Sequence, residues 1–314
     1  MAEERGTRER VCRLLEMESG RGDSYMVIND ILTGNCMEIM PTMPENGVDL
    51  TVTSCPYGKV RDYNGAVNAF NFPVIAEQLY RVTKNGGMLA WNEADQRDDF
   101  SLSGLSFEHC IVFKKLGFKL LDVIFYVKNG LFNQYPNTLC QTVEYVFIFV
   151  KGDRPIVGDT NILRDRKNKH AYTIYHGTRR QSNGETKPRK KQVETEYSKR
   201  TQIWEYNVGG GHMDTLVPLI YDKGSKKVEH PAIMHDQLAA DLIKCYSNSG
   251  DLVFDPMCGS GTTLAVAALL GRHWLGIEIR PEWAEKTRQR VEIAHLIQYK
   301  NNYINQQKIT AWCK

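Results

Sequence analysis

One stretch near the C-terminal end constrains this chain more than any other: Phe254-Asp255-Pro256-Met257-Cys258-Gly259-Ser260-Gly261-Thr262-Thr263. Ahead of it, residues 251–254 form a short apolar run closing on Asp255. Behind it, residues 264–270 (Leu-Ala-Val-Ala-Ala-Leu-Leu) are apolar enough for a buried helix. Gly259 and Gly261 permit close approach of backbone to a ligand, and Thr262 and Thr263 can cap the helix. A turn of this kind aims backbone N–H groups at whatever binds there. After Gly271-Arg272, the run Trp274-Leu275-Gly276-Ile277-Glu278-Ile279 reads as the next strand. Its acid, Glu278, lies about twenty residues beyond the turn, where a carboxylate can accept hydrogen bonds from a ribose diol. The pattern predicts an α/β sheet holding a nucleotide-like cofactor. Leu264 stands where the dinucleotide fingerprint wants a third glycine, which disfavours NAD. A purely structural turn is the plain alternative.

A second tetrapeptide, Ser54-Cys55-Pro56-Tyr57, closes a predicted strand over residues 48–53, far earlier in the chain. Between the two motifs the pattern predicts a helix over 72–82, stopped by Asn85-Gly86-Gly87 ahead of a strand over 88–91. A helix over 107–116 follows, then strands over 119–127 and 142–150 that suit an antiparallel pair at a sheet edge. A helix over 231–246 leads into the cofactor strand. Ligands of such sheets collect at the carboxyl ends of the strands, so both motifs are expected to face one crevice.

Net charge is only +3, but it is unevenly spread. Residues 151–205 hold 14 Lys+Arg against 7 Asp+Glu, whereas the remainder holds 26 against 30. A basic segment therefore interrupts a mildly acidic body, and phosphate contact is its natural reading; a solvated surface insertion is the bland one. At 314 residues and 42% hydrophobic content, one large α/β domain plus an insertion is expected rather than two equal domains. Eight cysteines, with no C-x-x-C pair, indicate neither a zinc site nor a disulfide framework; no metal is expected. No apolar run approaches membrane-spanning length and the first residues are polar, so a cytoplasmic protein is expected, nucleoid-associated when bound to DNA.

Taken in order, these motifs resemble those of the β-group, circularly permuted DNA amino-methyltransferases of the N4-cytosine/N6-adenine family. The turn at 255–263 is similar to their S-adenosylmethionine-binding motif, D-P-F-x-G-S-G-T-T, and Ser54-Cys55-Pro56-Tyr57 to their catalytic (D/N/S)-P-P-(Y/F/W). The catalytic motif precedes the cofactor motif, which is the β-group order. The resemblance spans residues 26–290, taking in Gly34-Asn35-Cys36-Met37-Glu38-Ile39 before the catalytic strand and His230-Pro231-Ala232 before the helix into the turn. It implies a Rossmann-like methyltransferase fold, a mainly parallel twisted sheet with an antiparallel edge strand and an inserted target-recognition region. The expected division is an arm (1–24), a catalytic half (25–151), a target-recognition insertion (152–205), a cofactor-binding half (206–298) and a tail (299–314).

The resemblance also implies roles. Ser54 Oγ and the Cys55 carbonyl would accept the N–H groups of an exocyclic base amine, favouring a pyramidal nitrogen whose lone pair faces the methyl donor. Pro56 completes the motif, and Tyr57 would stack on a base flipped out of the duplex. Cys55 stands where the family has proline and Asn35 where aspartate is commoner; a carbonyl survives the first change, while backbone stiffness is lost. A covalent role for the Cys55 thiol is the rival mechanism, although enzymes that use it carry Pro-Cys, not Cys-Pro. S-adenosyl-L-methionine would be held by the turn, residues 255–263, with Glu278, Asn35 and His230; helix capping by Asn35 and a structural His230 are their plainer readings. Double-stranded DNA would meet Lys128, Arg164, Arg166, Lys167, Lys169, Arg179, Arg180, Arg189, Lys190 and Lys191, with Tyr172, Tyr175 and Gln181 as groove-edge candidates. Lys128 is also readable as a solvated strand-end lysine. Serine at position 54 favours cytosine N4; adenine N6 methylation uses the same geometry, and a catalytically degenerate DNA-binding relative or an RNA or small-molecule methyltransferase would share the turn. A homodimer and a cognate restriction endonuclease are candidate partners.

Overall fold

The computed structural model describes residues 13–17, 24–56, 70–98, 101–128, 138–153, 155, 163–168, 171–192, 195–206, 216–219 and 233–312. The central sheet has eight strands: β1 (Asp30–Thr33), β2 (Val48–Ser54), β3 (Thr83–Glu93), β4 (Phe118–Lys128), β5 (Val143–Lys151), β6 (Ile203–Tyr206), β7 (Leu252–Asp255) and β8 (His273–Glu278). Their order across the sheet is β6-β4-β5-β3-β2-β7-β8-β1. β5 runs antiparallel to both its neighbours, and every other pair is parallel.

The antiparallel strand is thus third from the end rather than at the edge. Ile203–Tyr206 pairs in parallel outside β4, burying Trp204 and Tyr206 while Ile203 and Glu205 point outward. The segment expected as an insertion over 152–205 therefore returns its last residues to the sheet. The arm expected over 1–24 supplies Arg13–Met17, paired with Ser24–Ile28, and the tail expected from 299 continues a long helix.

Among the described residues six α-helices cover the sheet: α1 (Cys36–Ile39), α2 (Phe72–Val82), α3 (Leu105–Leu116), α4 (Asp236–Tyr246), α5 (Thr262–Leu269) and α6 (Pro281–Trp312). In α2, Phe72, Ile75, Ala76, Leu79 and Val82 recur at helical spacing and are buried, and Pro73 sits in the first turn, where no amide hydrogen is needed. α4 starts five residues later than expected because the His235 ring nitrogen accepts from the Gln237 amide (3.1 Å) and fixes the N-terminus there.

Alternation along the strands divides the core in two. Leu50, Val52, Ala90, Ile148 and Val253 face α4, α5 and α6, and Leu89, Trp91, Phe149, Phe254 and Leu275 face α1, α2 and α3. Cover on both faces is what a largely parallel sheet needs. Parallel pairing also brings the ends of β2, β3, β4, β7 and β8 to one edge, where Ser54, Glu93, Lys128, Asp255 and Glu278 lie. Among the described residues no helix is long and apolar enough to cross a membrane.

Candidate active site

The glycine turn is built by its own acids. Asp255 Oδ1 accepts from the Met257 amide (3.1 Å), and Glu278 Oε2 accepts from the Gly259 amide (2.8 Å). The Cys258 amide goes to the Ile277 carbonyl (3.0 Å) and the Gly261 amide to the Cys258 carbonyl (2.7 Å). Four amides of the turn are therefore committed within the protein, contrary to the expectation that they aim at the ligand. A phosphate cradle needs such donors free. Two buried carboxylates at the same turn would moreover repel an anion and favour a cation or a hydroxyl donor.

Burial and the neighbouring Glu278 push the Asp255 carboxyl up to about 6, against the hydrogen bonds from Thr53, Met257 and Thr263. Burial also raises Glu278. Glu278 keeps acceptor capacity, since each oxygen takes one backbone amide, from Gly259 and Arg280 (3.0 Å), and has a second lone pair. Asn35 caps α1 through Met37 N (3.0 Å), and Gly34 N binds the Glu278 carbonyl (2.9 Å), so the loop carrying Asn35 flanks the acid. The threonines do not cap α5. Thr263 Oγ1 donates to the Val52 carbonyl (3.2 Å), Thr262 Oγ1 accepts from Arg290 (2.8 Å), and Gly261 holds the cap position at φ +75°. Only glycine fits there: a Cβ would lie 2.2 Å from Thr287 Cγ2. Pro256, Cys258 and Ser260 are buried and Met257 is half-buried.

Ser54 lies beside this turn. β2 and β7 pair Val253 with Leu50 and Phe254 with Thr51, and Thr53 Oγ1 donates to Asp255 Oδ1 (2.8 Å). Ser54 Oγ itself accepts from Asn92 Nδ2 (3.2 Å). Cys55 is 2% exposed, with its amide on the Asn92 carbonyl (3.4 Å) and its thiol 3.8 Å from the same oxygen. Burial and the nearby Glu93 and Glu144 charges push that thiol well up, the opposite of what a nucleophilic thiolate needs. Pro56 follows half-buried; Tyr57 and His230 lie outside the described residues.

The basic residues fall into two groups. Lys128 pairs with Glu144 and sits 5.3 Å from the Tyr126 ring centre, so it is tied into the sheet rather than offered to a phosphate. In the insertion, Ile174–Arg180 and Thr186–Gln192 form an antiparallel ribbon that places Arg179 opposite Lys187 and Gly177 opposite Arg189. Alternation puts Arg179, Lys187 and Arg189 on one face and Arg180 and Lys190 on the other, all exposed. Tyr172 is exposed at positive φ and Gln181 closes the ribbon turn on Glu185 (2.7 Å). Arg166 and Lys167 pair with Ser198 and Tyr197, and Arg164 reaches the Tyr197 carbonyl (3.1 Å). Lys169 and the side chains of Tyr175 and Lys191 lie outside the described residues. Arg200 clips this region to the body, binding Asp165 and α4's Asp241 at 2.6 Å each, beside a cavity of about 500 Å³.

Two groups escaped the sequence reading. Arg290, 1% exposed on α6, binds Asp236 (2.7 Å), the Ser260 carbonyl (3.1 Å) and Thr262, and so ties α4 and α6 to the turn. Asn92 and Glu144 stand behind Ser54; a glutamate inside the apolar run Val-Glu-Tyr-Val-Phe-Ile-Phe-Val was the available signal.

A largely parallel sheet with an acid-lined glycine turn and an adjacent polar strand end defines an α/β enzyme of the nucleotide-cofactor type. The N6/N4 methyltransferase family model, described as DNA methylase, matches residues 48–289. The orphan methyltransferase M.BamHII of Bacillus amyloliquefaciens is 40% identical over 248 residues, 78% of this chain and 89% of that protein. The DNA adenine methyltransferase YhdJ of Escherichia coli K12 is 25% identical over 84% of this chain and 83% of its own length. The solved PvuII DNA methyltransferase, cytosine-N4-specific, shares the fold with TM-score 0.57 at 16% identity, over 86% of this chain and 92% of that one. The chain belongs to the N6/N4 family of DNA methyltransferases.

Proposed function

We propose that the protein transfers a methyl group from S-adenosylmethionine to N4 of a cytosine flipped out of duplex DNA. The observation that carries the reading is the Thr53–Asp255 hydrogen bond (2.8 Å), which sets the strand ending at Ser54 against the strand ending at the acid-lined turn. S-adenosylmethionine, when bound, supplies an electrophilic methyl on a sulfonium cation. Asp255 and Glu278 suit that charge, and the spare lone pairs of Glu278 suit a ribose diol. Ser54 Oγ and the Cys55 carbonyl accept the two amine N–H groups, turning the nitrogen lone pair toward the methyl; Tyr57 stacks on the base. The nitrogen would take the methyl as the sulfur leaves with the bonding pair as a neutral thioether, and would release one N–H proton to solvent, so orientation rather than proton transfer is the main catalytic resource.

Residues 25–151 and 206–298 make the two halves of the methyltransferase domain, and the intervening segment recognises the target. The exposed cations of its ribbon, Arg179, Arg180, Arg189 and Lys190, contact phosphates, since a two-stranded ribbon is of a size to enter a major groove. Adenine N6 is the second reading, favoured by the YhdJ likeness; Ser54 in place of aspartate favours cytosine. The class of reaction is tested by incubation with methyl-labelled S-adenosylmethionine and mixed-sequence duplex DNA or matched RNA. Label is expected in the duplex alone. Label in RNA alone, or cofactor binding without transfer to either, overturns the reading.

A further inference from the structure

Behind Ser54 a row of polar side chains crosses four neighbouring strands on one face of the sheet. Asn92 on β3 is the register partner of Ser54 on β2, and its Nδ2 donates both to Ser54 Oγ (3.2 Å) and to Glu144 Oε2 on β5 (3.0 Å). Lys128 on β4 completes the row by pairing with the other Glu144 oxygen. Asn92 is 2% exposed and Glu144 is 7% exposed.

A buried carboxylate is costly unless it is paired and hydrogen-bonded, and here both conditions are met within the row. The arrangement has a directional result. One Asn92 amide proton is anchored on a carboxylate, a stronger acceptor than a hydroxyl, so the amide plane is fixed and the other proton is aimed at Ser54 Oγ. A serine hydroxyl otherwise rotates among three staggered wells.

We propose that Asn92, anchored by the Glu144–Lys128 pair, is a positioning residue that sets how Ser54 Oγ presents its lone pairs to the target amine. This rests on the reading of Ser54 given above. It assigns Lys128 to the same device, as the cation that holds the Glu144 carboxylate in place.

The test is single-turnover methyl transfer to duplex DNA by full-length Asn92→Ala, Glu144→Gln, the double variant and Ser54→Ala, with cofactor dissociation constants and DNA KM measured alongside. Asn92→Leu, which keeps the volume and removes both donors, stands in for Asn92→Ala if that variant does not fold. The Asn92 variant is expected to lose ~10–100-fold in rate while both binding constants stay within about threefold. Glu144→Gln is expected to cost less, and to cost nothing further on top of the Asn92 change, because the two act through one path. A wild-type rate for the Asn92 variant with a slow Ser54→Ala overturns this inference alone. Losses that multiply in the double variant, or a rate loss matched by lost cofactor affinity, overturn it too. A wild-type rate for Ser54→Ala removes the reading of Ser54 beneath it.

Discussion

At the scale of single residues, Asp255 carries a measurable pH signature. Its folded carboxyl, raised from 3.8 to about 6 by burial, holds a proton more tightly than it does in the unfolded chain. Its contribution to stability is therefore lost as pH rises from the unfolded value through the folded one, and is constant above both. A cationic ligand prefers the ionised form, so affinity for S-adenosylmethionine should strengthen as pH rises through about 6. Calorimetric titration is expected to show binding about tenfold weaker at about pH 5 than at about pH 7.5, with Asp255→Asn weak and flat across that range; a flat wild-type curve contradicts the assignment. Cys55 gives a second expectation. With a buried, protonated thiol, Cys55→Ser should hold its methylation rate within about threefold, whereas a loss beyond ~100-fold would restore the covalent mechanism. Asp255 and Glu278 were legible because each ends an apolar strand next to the glycine turn. Arg290 was not, because an arginine in a polar helix is surface by default and its partners come from two distant segments.

At the scale of elements, the ribbon of the insertion makes the clearest demand. If Arg179 and Arg189 meet phosphates, replacing each by alanine should lower the slope of log affinity against log salt by about one and weaken binding similarly on all duplex sequences. Fluorescence anisotropy over a salt series reads this directly; unchanged slopes would take the ribbon off the DNA. The charge run was legible in the sequence, but the ribbon was not. Its strands, Ile-Tyr-His-Gly-Thr-Arg-Arg and Thr-Lys-Pro-Arg-Lys-Lys-Gln, are polar on both faces and carry no period-2 apolar signal; Asn183-Gly184 at the turn was the one cue. α2 was legible to the residue because its apolar spacing and its first-turn proline agree, but Asn85-Gly86-Gly87, expected to stop it, lies inside β3, which begins at Thr83 directly after the helix.

At the scale of the whole molecule, two motifs far apart in sequence become neighbours because β2 and β7 pair in parallel at the middle of the sheet. That juxtaposition was legible because the strand–turn–helix pattern puts both motifs at the carboxyl ends of strands in one sheet. The place of β6 was not, since a four-residue strand after a long polar segment leaves too little periodicity to show which edge it joins. The central claim, methyl transfer to an exocyclic amine held by Ser54, is tested most directly by nucleoside mass spectrometry of duplex DNA after incubation with the enzyme and S-adenosylmethionine. The account predicts N4-methylcytosine. N6-methyladenine would keep the geometry and overturn the base, while 5-methylcytosine, or no modified nucleoside from an enzyme that binds its cofactor, would contradict the account at its centre.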